Sequence, residues 1–404
     1  MKKAILRAAM RQKRQNVASH ARLSQKAMER FLQTSLYRNA ETVLIYLDLA
    51  SELKTTLLLQ TLLADSQKRC VVPYCLPNKE LGLFHLQSET ELERGKYGIL
   101  EPSETWRNVA SRRVEPNRLD LVLVPGLAWD FWGGRLGQGG GYYDRFLPKL
   151  SPRTRTVGAG FDCQILDAVP LEPEDYAVDF LVTESRWIRC LPMVVGVVGG
   201  IACGKSLVSE FLAQQGAALF PADQVGHQAL EDPEIREKIV ARWGVSVLDT
   251  DTSVSRPKLA QVVFSEGDGE DLAFLDRLIH PWIEERWKRF RQQCVHQRRP
   301  WIVLDAALLL EAGWQGFCDE ILFVETPRER QWAFARGRGW TEDELLQREK
   351  RQFSLERKRA AATVVVKNDT TPEALRQQLE RWLAERFPER DFYKGFVEEV
   401  RRQR

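Results

Sequence analysis

Met193-Val-Val-Gly-Val-Val-Gly-Gly-Ile-Ala-Cys-Gly-Lys-Ser206 decides the fold of the second half of the chain. Residues 194–198 form a short apolar run rich in β-branched side chains, and residues 205–214 after it carry a helical pattern. Between them Gly199, Gly200, Ile201, Ala202, Cys203, Gly204, Lys205 and Ser206 fit G-x-x-x-x-G-K-[ST], in the strand-then-helix setting that this pattern requires. The glycines let the backbone curl so that successive N–H groups face phosphate oxygens. The helix adds the positive end of its dipole. Lys205 is placed to reach the β- and γ-phosphates, and the Ser206 hydroxyl to ligate Mg²⁺. This stretch predicts a site for a nucleoside triphosphate.

Working outward, strand-like runs at 217–221, 301–305, 320–325 and 363–366 alternate with helical patterns at about 227–298, 328–336, 341–359 and 372–387. The first half repeats the alternation without repeating the sequence. Helical patterns at 4–18 and 24–37, the second with Ser24 as N-cap, precede strand-like runs at 42–47, 70–73, 119–125, 154–161 and 178–182, with helices at 54–66 and 142–150. The fold class is α/β, in two domains with largely parallel sheets. Boundaries are expected at 1–190 and 193–390, with a charged tail at 391–404, and Met193 reads as a relic start codon at the join.

Composition agrees. The 404 residues are 44% hydrophobic and 28% charged with a net charge of +3, enough for two or three globular cores. No apolar run reaches the length of a membrane span. The start of the chain, broken by Arg7, Arg11, Lys13 and Arg14, lacks the apolar stretch of a signal peptide. Seven cysteines, an odd number without a C-x-x-C pair, argue against a disulfide framework and a zinc knuckle, and for a cytoplasmic chain with reduced thiols. The first 38 residues hold ten Lys/Arg and one acid, Glu29, which suits a solvated helix face, an anionic ligand or nucleic acid.

A second anion cradle stands in the first half. Arg135, Leu136, Gly137, Gln138, Gly139, Gly140, Gly141, Tyr142, Tyr143, Asp144 and Arg145 follow an apolar strand and lead into a helical pattern. Six glycines in nine positions from Gly133 expose backbone N–H groups to an anion. No Lys-Ser follows, so this is a different phosphate loop. Arg135 and Arg145 can pair phosphates bidentately, and Asp144 can hold Mg²⁺.

In the second half Asp223, just beyond a strand, would lie near the γ-phosphate as a base for an attacking hydroxyl. Asp305 ends a strand and reads either as an outer-sphere metal group or as a strand-end cap. His280 reads as a substrate-orienting group or a helix-terminus residue. Arg336, Arg338, Arg348 and Arg351 form either an arginine-rich lid over the triphosphate or an ordinary solvated helix pair. Lys367-Asn368-Asp369 does not fit the guanine-reading N-K-x-D element.

Over residues 193–387 the chain resembles dephospho-CoA kinase. The resemblance rests on Gly196 to Ser206, Ala222-Asp223, Arg256-Pro-Lys-Leu-Ala260, Ile279-His-Pro281, Leu308-Leu-Leu-Glu311, and Gln331, Arg338, Gln352, Lys358 and Asn368. It implies a P-loop kinase with a helical lid and a CoA-binding region, transferring phosphate from ATP with Mg²⁺ to the ribose 3′-hydroxyl of dephospho-CoA. Asp223 would be the base, and Lys205 and Arg338 catalytic. Pro221, Ala307, Phe334 and Gly339 depart from residues usual in that family, and Cys203 is expected to confer sensitivity to thiol reagents.

Residues 1–187 resemble 5-formyltetrahydrofolate cyclo-ligase, on Lys3-x-x-Leu-Arg7, Glu52-Leu-Lys-Thr55, Tyr97 to Pro102, Arg135 to Asp144, and Phe161-Asp-x-Gln164. The resemblance implies a Rossmann-like domain in which ATP phosphorylates the formyl oxygen and N10 of the folate displaces it to close the ring. Arg135 and Arg145 would be catalytic. Lys3, Arg7 and Arg14 would neutralise ATP phosphates, and Glu52 would meet the pterin or formyl end. Trp129, Phe131, Trp132 and Tyr142 read as pterin-stacking rings or as core. The partners implied are 5-formyltetrahydrofolate and dephospho-CoA, with neither nucleic acid nor membrane; no sequence feature sets an oligomeric state. Two rivals stand beside this reading: a kinase for another hydroxyl or nucleotide acceptor, and a non-catalytic folate- or nucleotide-binding N-terminal half.

Overall fold

Parallel strands flanked by helices need both faces covered, and the sequence supplies near-continuous apolar runs to fill them. In the computed structural model, which describes residues 2–49, 51–95, 98–263, 269–350 and 352–386, the chain divides into two compact units, Met1–Leu191 and Pro192–Arg404. Tyr97, Arg351 and the 391–404 tail lie outside the described residues.

The N-terminal unit is built on a seven-stranded sheet. Its order is Trp187–Arg189, Phe180–Val182, Arg155–Ala159, Leu121–Pro125, Thr42–Leu44, Arg69–Cys75, Leu81–Leu86. The five inner strands are mutually parallel, and each edge strand is antiparallel to its neighbour. Leu121, Val122, Leu123 and Val124 are all buried, as a strand covered on both faces requires. One face packs against helices His20–Leu32 and Thr56–Ala64 through Met28, Phe31, Leu58 and Leu62; the other packs against Trp129, Phe146 and Leu147. Ser24 is not the expected N-cap. It lies inside the helix His20–Leu32, buried, with its hydroxyl accepting the Lys54 N–H at 3.0 Å. The helical pattern continued past Leu32 because a separate short helix, Ser35–Asn39, follows with Thr34 as its cap.

The C-terminal unit carries five strands, all parallel, in the order Ala218–Pro221, Trp301–Asp305, Met193–Gly199, Glu320–Glu325, Val364–Lys367. The strand ahead of the glycine loop is therefore central. Its carboxyl end opens between the ends of Trp301–Asp305 and Glu320–Glu325, the crevice where ligands bind in open α/β sheets. Helices Lys205–Gln214 and Pro372–Arg386 cover one face. The 27-residue helix Glu270–His296 packs on the other through Ile283, Trp287 and Cys294. A separate helical cluster is built around Ile235, Ile239, Leu259 and Val263, with Leu272, Leu275 and Leu278 of the long helix packed against it. Among the described residues no helix is long and apolar enough to cross a membrane.

Candidate functional sites

In the C-terminal unit the glycine loop is held from below. Cys203 is buried at 1% exposure against the sheet, and its carbonyl accepts both the Thr326 hydroxyl at 2.7 Å and the Asn368 amide at 2.9 Å. Gly204 needs its missing side chain twice over. Its φ is 94°, and a Cβ would stand 2.4 Å from the Asn368 amide nitrogen. The burial of Cys203 corrects the expectation of a reagent-sensitive thiol, because the side chain faces the core and only the backbone faces the phosphate path. Lys205 opens the helix Lys205–Gln214 and folds back to donate to the Gly200 carbonyl at 3.0 Å; Ser206 follows it on the same first turn.

Asp223 sits on the first turn of the helix Ala222–Ala229, two residues past the end of its strand. Both of its oxygens accept the Ala307 N–H, each at 3.3 Å. Its carboxyl is pushed above the usual carboxylate range, first by desolvation and then by the charge of Asp305, against the Ala307 hydrogen bond and Lys205. Asp305 is raised for the same leading reason and is also opposed by Lys205. Lys205 and the two carboxylates thus form one electrostatic group at the open end of the sheet. The Arg256 guanidinium meets His227 Nδ1 at 3.0 Å, one helical turn beyond Asp223.

The lid arginines sit differently from one another. Arg338 caps the helix Arg328–Gly337, where Gly339 takes φ 75°. The Gly339 N–H reaches the Arg336 carbonyl at 2.9 Å and the Trp340 N–H reaches Ala335 at 3.1 Å, the paired bonds of a Schellman end. Glycine at 339 thus suits the conformation that this helix end requires. Arg338 and Arg348 are exposed and both lie over the Trp340 ring, 5.5 and 4.2 Å from its centre. Arg336 is exposed on the same helix. The lid is seated on the loop by an apolar cluster of Ala202, Ala335 and Leu345 with Ile201, Trp332 and Trp340. Phe334 is 36% exposed beneath the Arg330 guanidinium. His280 lies inside the long helix, edge-on to Trp314 and 3.6 Å from Asp276.

In the N-terminal unit the glycine-tyrosine loop forms one wall of a cavity of about 450 Å³. The loop is shaped by Asp130, fully buried, which accepts the N–H groups of Trp132 at 3.0 Å, Gly134 at 2.8 Å and Val169 at 2.8 Å. Gly139 and Gly141 have φ of 105° and 71°. The helix after them, Tyr142–Phe146, is only five residues long, so its dipole adds little to the loop.

Arg135 is buried and ion-pairs with Asp144, both lining the cavity. Arg145 donates to the Gly140 carbonyl at 2.8 Å and the Lys79 carbonyl at 3.1 Å, tying the loop to a hairpin turn. Arg7 donates to the Gly137 carbonyl at 3.0 Å and so stands at the loop, whereas Lys3 pairs with Asp175 and Glu172. Arg14 is buried beside Glu52 at 3.5 Å, and Gln138 reaches Glu52 at the same distance.

Trp129 and Trp132 are core, at 0% and 2% exposure; of the four rings expected as core or pterin platforms, Tyr142 lines the cavity and Phe131 is 38% exposed. Sequence reasoning missed Tyr46, Tyr74 and Cys75 on the cavity wall, and gave Glu101 beside them no role of its own within the Tyr97 to Pro102 stretch. Glu101 is only 3% exposed, pairs with Arg107 at 2.8 Å and accepts the Cys75 N–H at 3.3 Å. The Tyr46 and Tyr143 phenols are pushed well up by burial and then by the charge of Glu52, so both remain neutral donors. Among the described residues the buried Tyr143 hydroxyl has no hydrogen-bond partner.

A central-strand glycine loop with Lys-Ser, an acidic pair and a helical lid defines a P-loop phosphotransferase, and the first unit defines a second α/β enzyme domain with its own glycine-rich loop and cavity. The chain belongs to two families in series: the 5-formyltetrahydrofolate cyclo-ligase family, whose model matches residues 1–184, and dephospho-CoA kinase, whose model matches residues 193–373. A dephospho-CoA kinase of Rhodopirellula baltica is 33% identical over 193 residues, 47% of this chain and 89% of its own length. One of Chlorobaculum tepidum is 36% identical over 196 residues, 47% of this chain and 93% of its own. The NMR structure of Aquifex aeolicus 5,10-methenyltetrahydrofolate synthetase is 32% identical, covers 47% of this chain and 93% of its own, with a TM-score of 0.42. Both families are enzymes that use ATP.

Proposed function

We propose that the chain is a bifunctional cytoplasmic enzyme. Its second unit phosphorylates the ribose 3′-hydroxyl of dephospho-CoA. Its first unit cyclises 5-formyltetrahydrofolate to 5,10-methenyltetrahydrofolate, with release of ADP and phosphate. The observation that carries the kinase reading is the Lys205, Asp223 and Asp305 group at the mouth of the central strand. Asp223 accepts the acceptor hydroxyl's proton as the γ-phosphoryl leaves, and Lys205 with the loop N–H groups neutralises the transferring charge. The oxygen donors Ser206 and Asp305 suit Mg²⁺, which with one or two protein oxygens completes its shell from phosphates and water and would neutralise charge on the β- and γ-oxygens. His227 and Arg256 extend the site toward the acceptor. The seven free cysteines accord with a reducing compartment.

In the first unit the reading is carried by the cavity that joins the glycine loop to the buried Glu52. Its walls, among them Leu47, Pro73 and Leu81, suit a flat pterin, with Tyr142 as its stacking ring. Gln138 bridges the loop to Glu52, which supports a role for that carboxylate at the pterin or formyl end. The unpartnered Tyr143 hydroxyl is left as a donor for the substrate. Arg135 and Arg7 supply positive charge where phosphate accumulates, and Asp144, held by Arg135, is the candidate metal oxygen of this loop.

The test is a paired assay of the purified chain with ATP and Mg²⁺. Dephospho-CoA should give CoA while nucleoside monophosphates give no product. 5-Formyltetrahydrofolate should give the methenyl absorbance only when ATP is present. Phosphorylation of another acceptor, or folate binding without turnover, would replace the corresponding half of the reading.

A further inference from the structure

Lys358 is the most deeply buried Lys or Arg among the described residues, at 2% exposure. Taking an ammonium out of water costs several kcal/mol, which pairing recovers only in good geometry. Lys358 has that geometry. Its ammonium donates to Gln352 Oε1 at 2.8 Å and stands 3.3 Å from Glu311 Oε1. The same Glu311 oxygen accepts the Phe353 N–H at 2.7 Å, fixing the segment after the lid helix to the turn that follows the strand Trp301–Asp305.

The bonding continues toward the site. Gln352 donates through Nε2 to the Ala307 carbonyl at 3.4 Å, and the Ala307 N–H is the donor that both Asp223 oxygens accept. Lysine has three donors and no acceptor, so it dictates which end of the Gln352 amide faces it. The carboxamide oxygen must turn to Lys358, which leaves the NH₂ for the Ala307 carbonyl. Without that ammonium the amide can turn over and set oxygen against oxygen at Ala307.

We propose that Lys358 is a positioning residue of the phosphoryl transfer: it orients the Gln352 amide, which holds Ala307, which in turn aims the Asp223 carboxylate at the acceptor hydroxyl. The proposal rests on Asp223 being the base. It accounts for why Asp223, Glu311, Gln352 and Lys358, scattered over 136 positions from 223 to 358 in the sequence, belong to one device. The Lys358 ammonium is engaged by Gln352 and Glu311 rather than left free for a phosphate.

Steady-state kinase kinetics on the full chain test it. Lys358→Met and Gln352→Leu should each lower kcat by about 10²-fold, the cost of a base displaced by about an ångström. The KM for ATP should stay within about twofold, because only the transition state is affected. Lys358→Arg, also donor-only, should keep most of the activity. Lys358→Met leaves Glu311 without its cation, so the Lys358→Met/Glu311→Gln double variant, which removes both charges, should melt near the wild type and still lose kcat. A large rise in the KM for ATP with kcat intact would make Lys358 a phosphate ligand and overturn the proposal. So would full activity in Gln352→Leu, or in the double variant. Asp223→Asn separates the two layers: if it stays active the base assignment itself fails, and if it is dead while Lys358→Met and Gln352→Leu are normal only the positioning chain fails.

Discussion

Asp223 is useful because its neighbours pull its proton affinity in opposite directions. Desolvation and Asp305 raise it, while the Ala307 N–H and Lys205 lower it. A base must be deprotonated to work, so kcat should fall as pH drops through this raised value, on a limb above the usual carboxylate range. Asp305→Asn removes a raising influence, so that limb should move to lower pH. A pH profile of kcat for the two proteins reads the direction, and an unmoved or upward limb would contradict the grouping. Asp223→Asn should cost about 10²- to 10⁴-fold in kcat. At this scale the sequence was most legible where chemistry forces a motif. Gly199 to Ser206 and Asp223 lie where their spacing placed them. Tyr46 and Cys75 were illegible because single residues on a loop and a strand carry no spacing, and only the folded sheet brings them to one cavity.

Among the elements, the glycine loop of the first unit depends on one buried carboxylate. Asp130→Ala would strand the N–H groups of Trp132, Gly134 and Val169, at about 1–3 kcal/mol for each buried donor left unpaired. The expected result is a clear drop in melting temperature together with loss of ring closure, with kinase turnover retained. The lid depends on its helix end. Gly339→Asp puts a side chain at φ 75° and should cost about 1–2 kcal/mol, read as lid opening by hydrogen exchange at residues 328–345.

Long periodic elements such as Lys205–Gln214, Trp301–Asp305 and Glu320–Glu325 match their expected bounds, since pattern and packing agree there. The helix expected over 341–359 is two, Glu342–Glu349 and Leu355–Ala360, because Ser354 caps a new start within a continuous charged pattern. Edge strands such as Leu81–Leu86 and Trp187–Arg189 escaped notice because short antiparallel edges need little alternation to pair.

At the scale of the molecule, each unit has its own sheet, its own cores and its own anion loop. That division was visible in the sequence as two motif sets falling on either side of Met193. The expected physical consequence is functional independence, with each reaction carried by the residues of its own unit. Residues 1–191 and 192–404 expressed apart should each fold with a cooperative melt and keep their own reaction. The most direct measurement is made on the intact chain. CoA formation and methenyl absorbance are followed in one preparation of wild type and of Lys205→Ala. The account predicts that the substitution lowers CoA formation by at least about 10²-fold and leaves the ATP-dependent ring closure at its wild-type rate. Loss of both reactions together, or persistence of CoA formation, would contradict it.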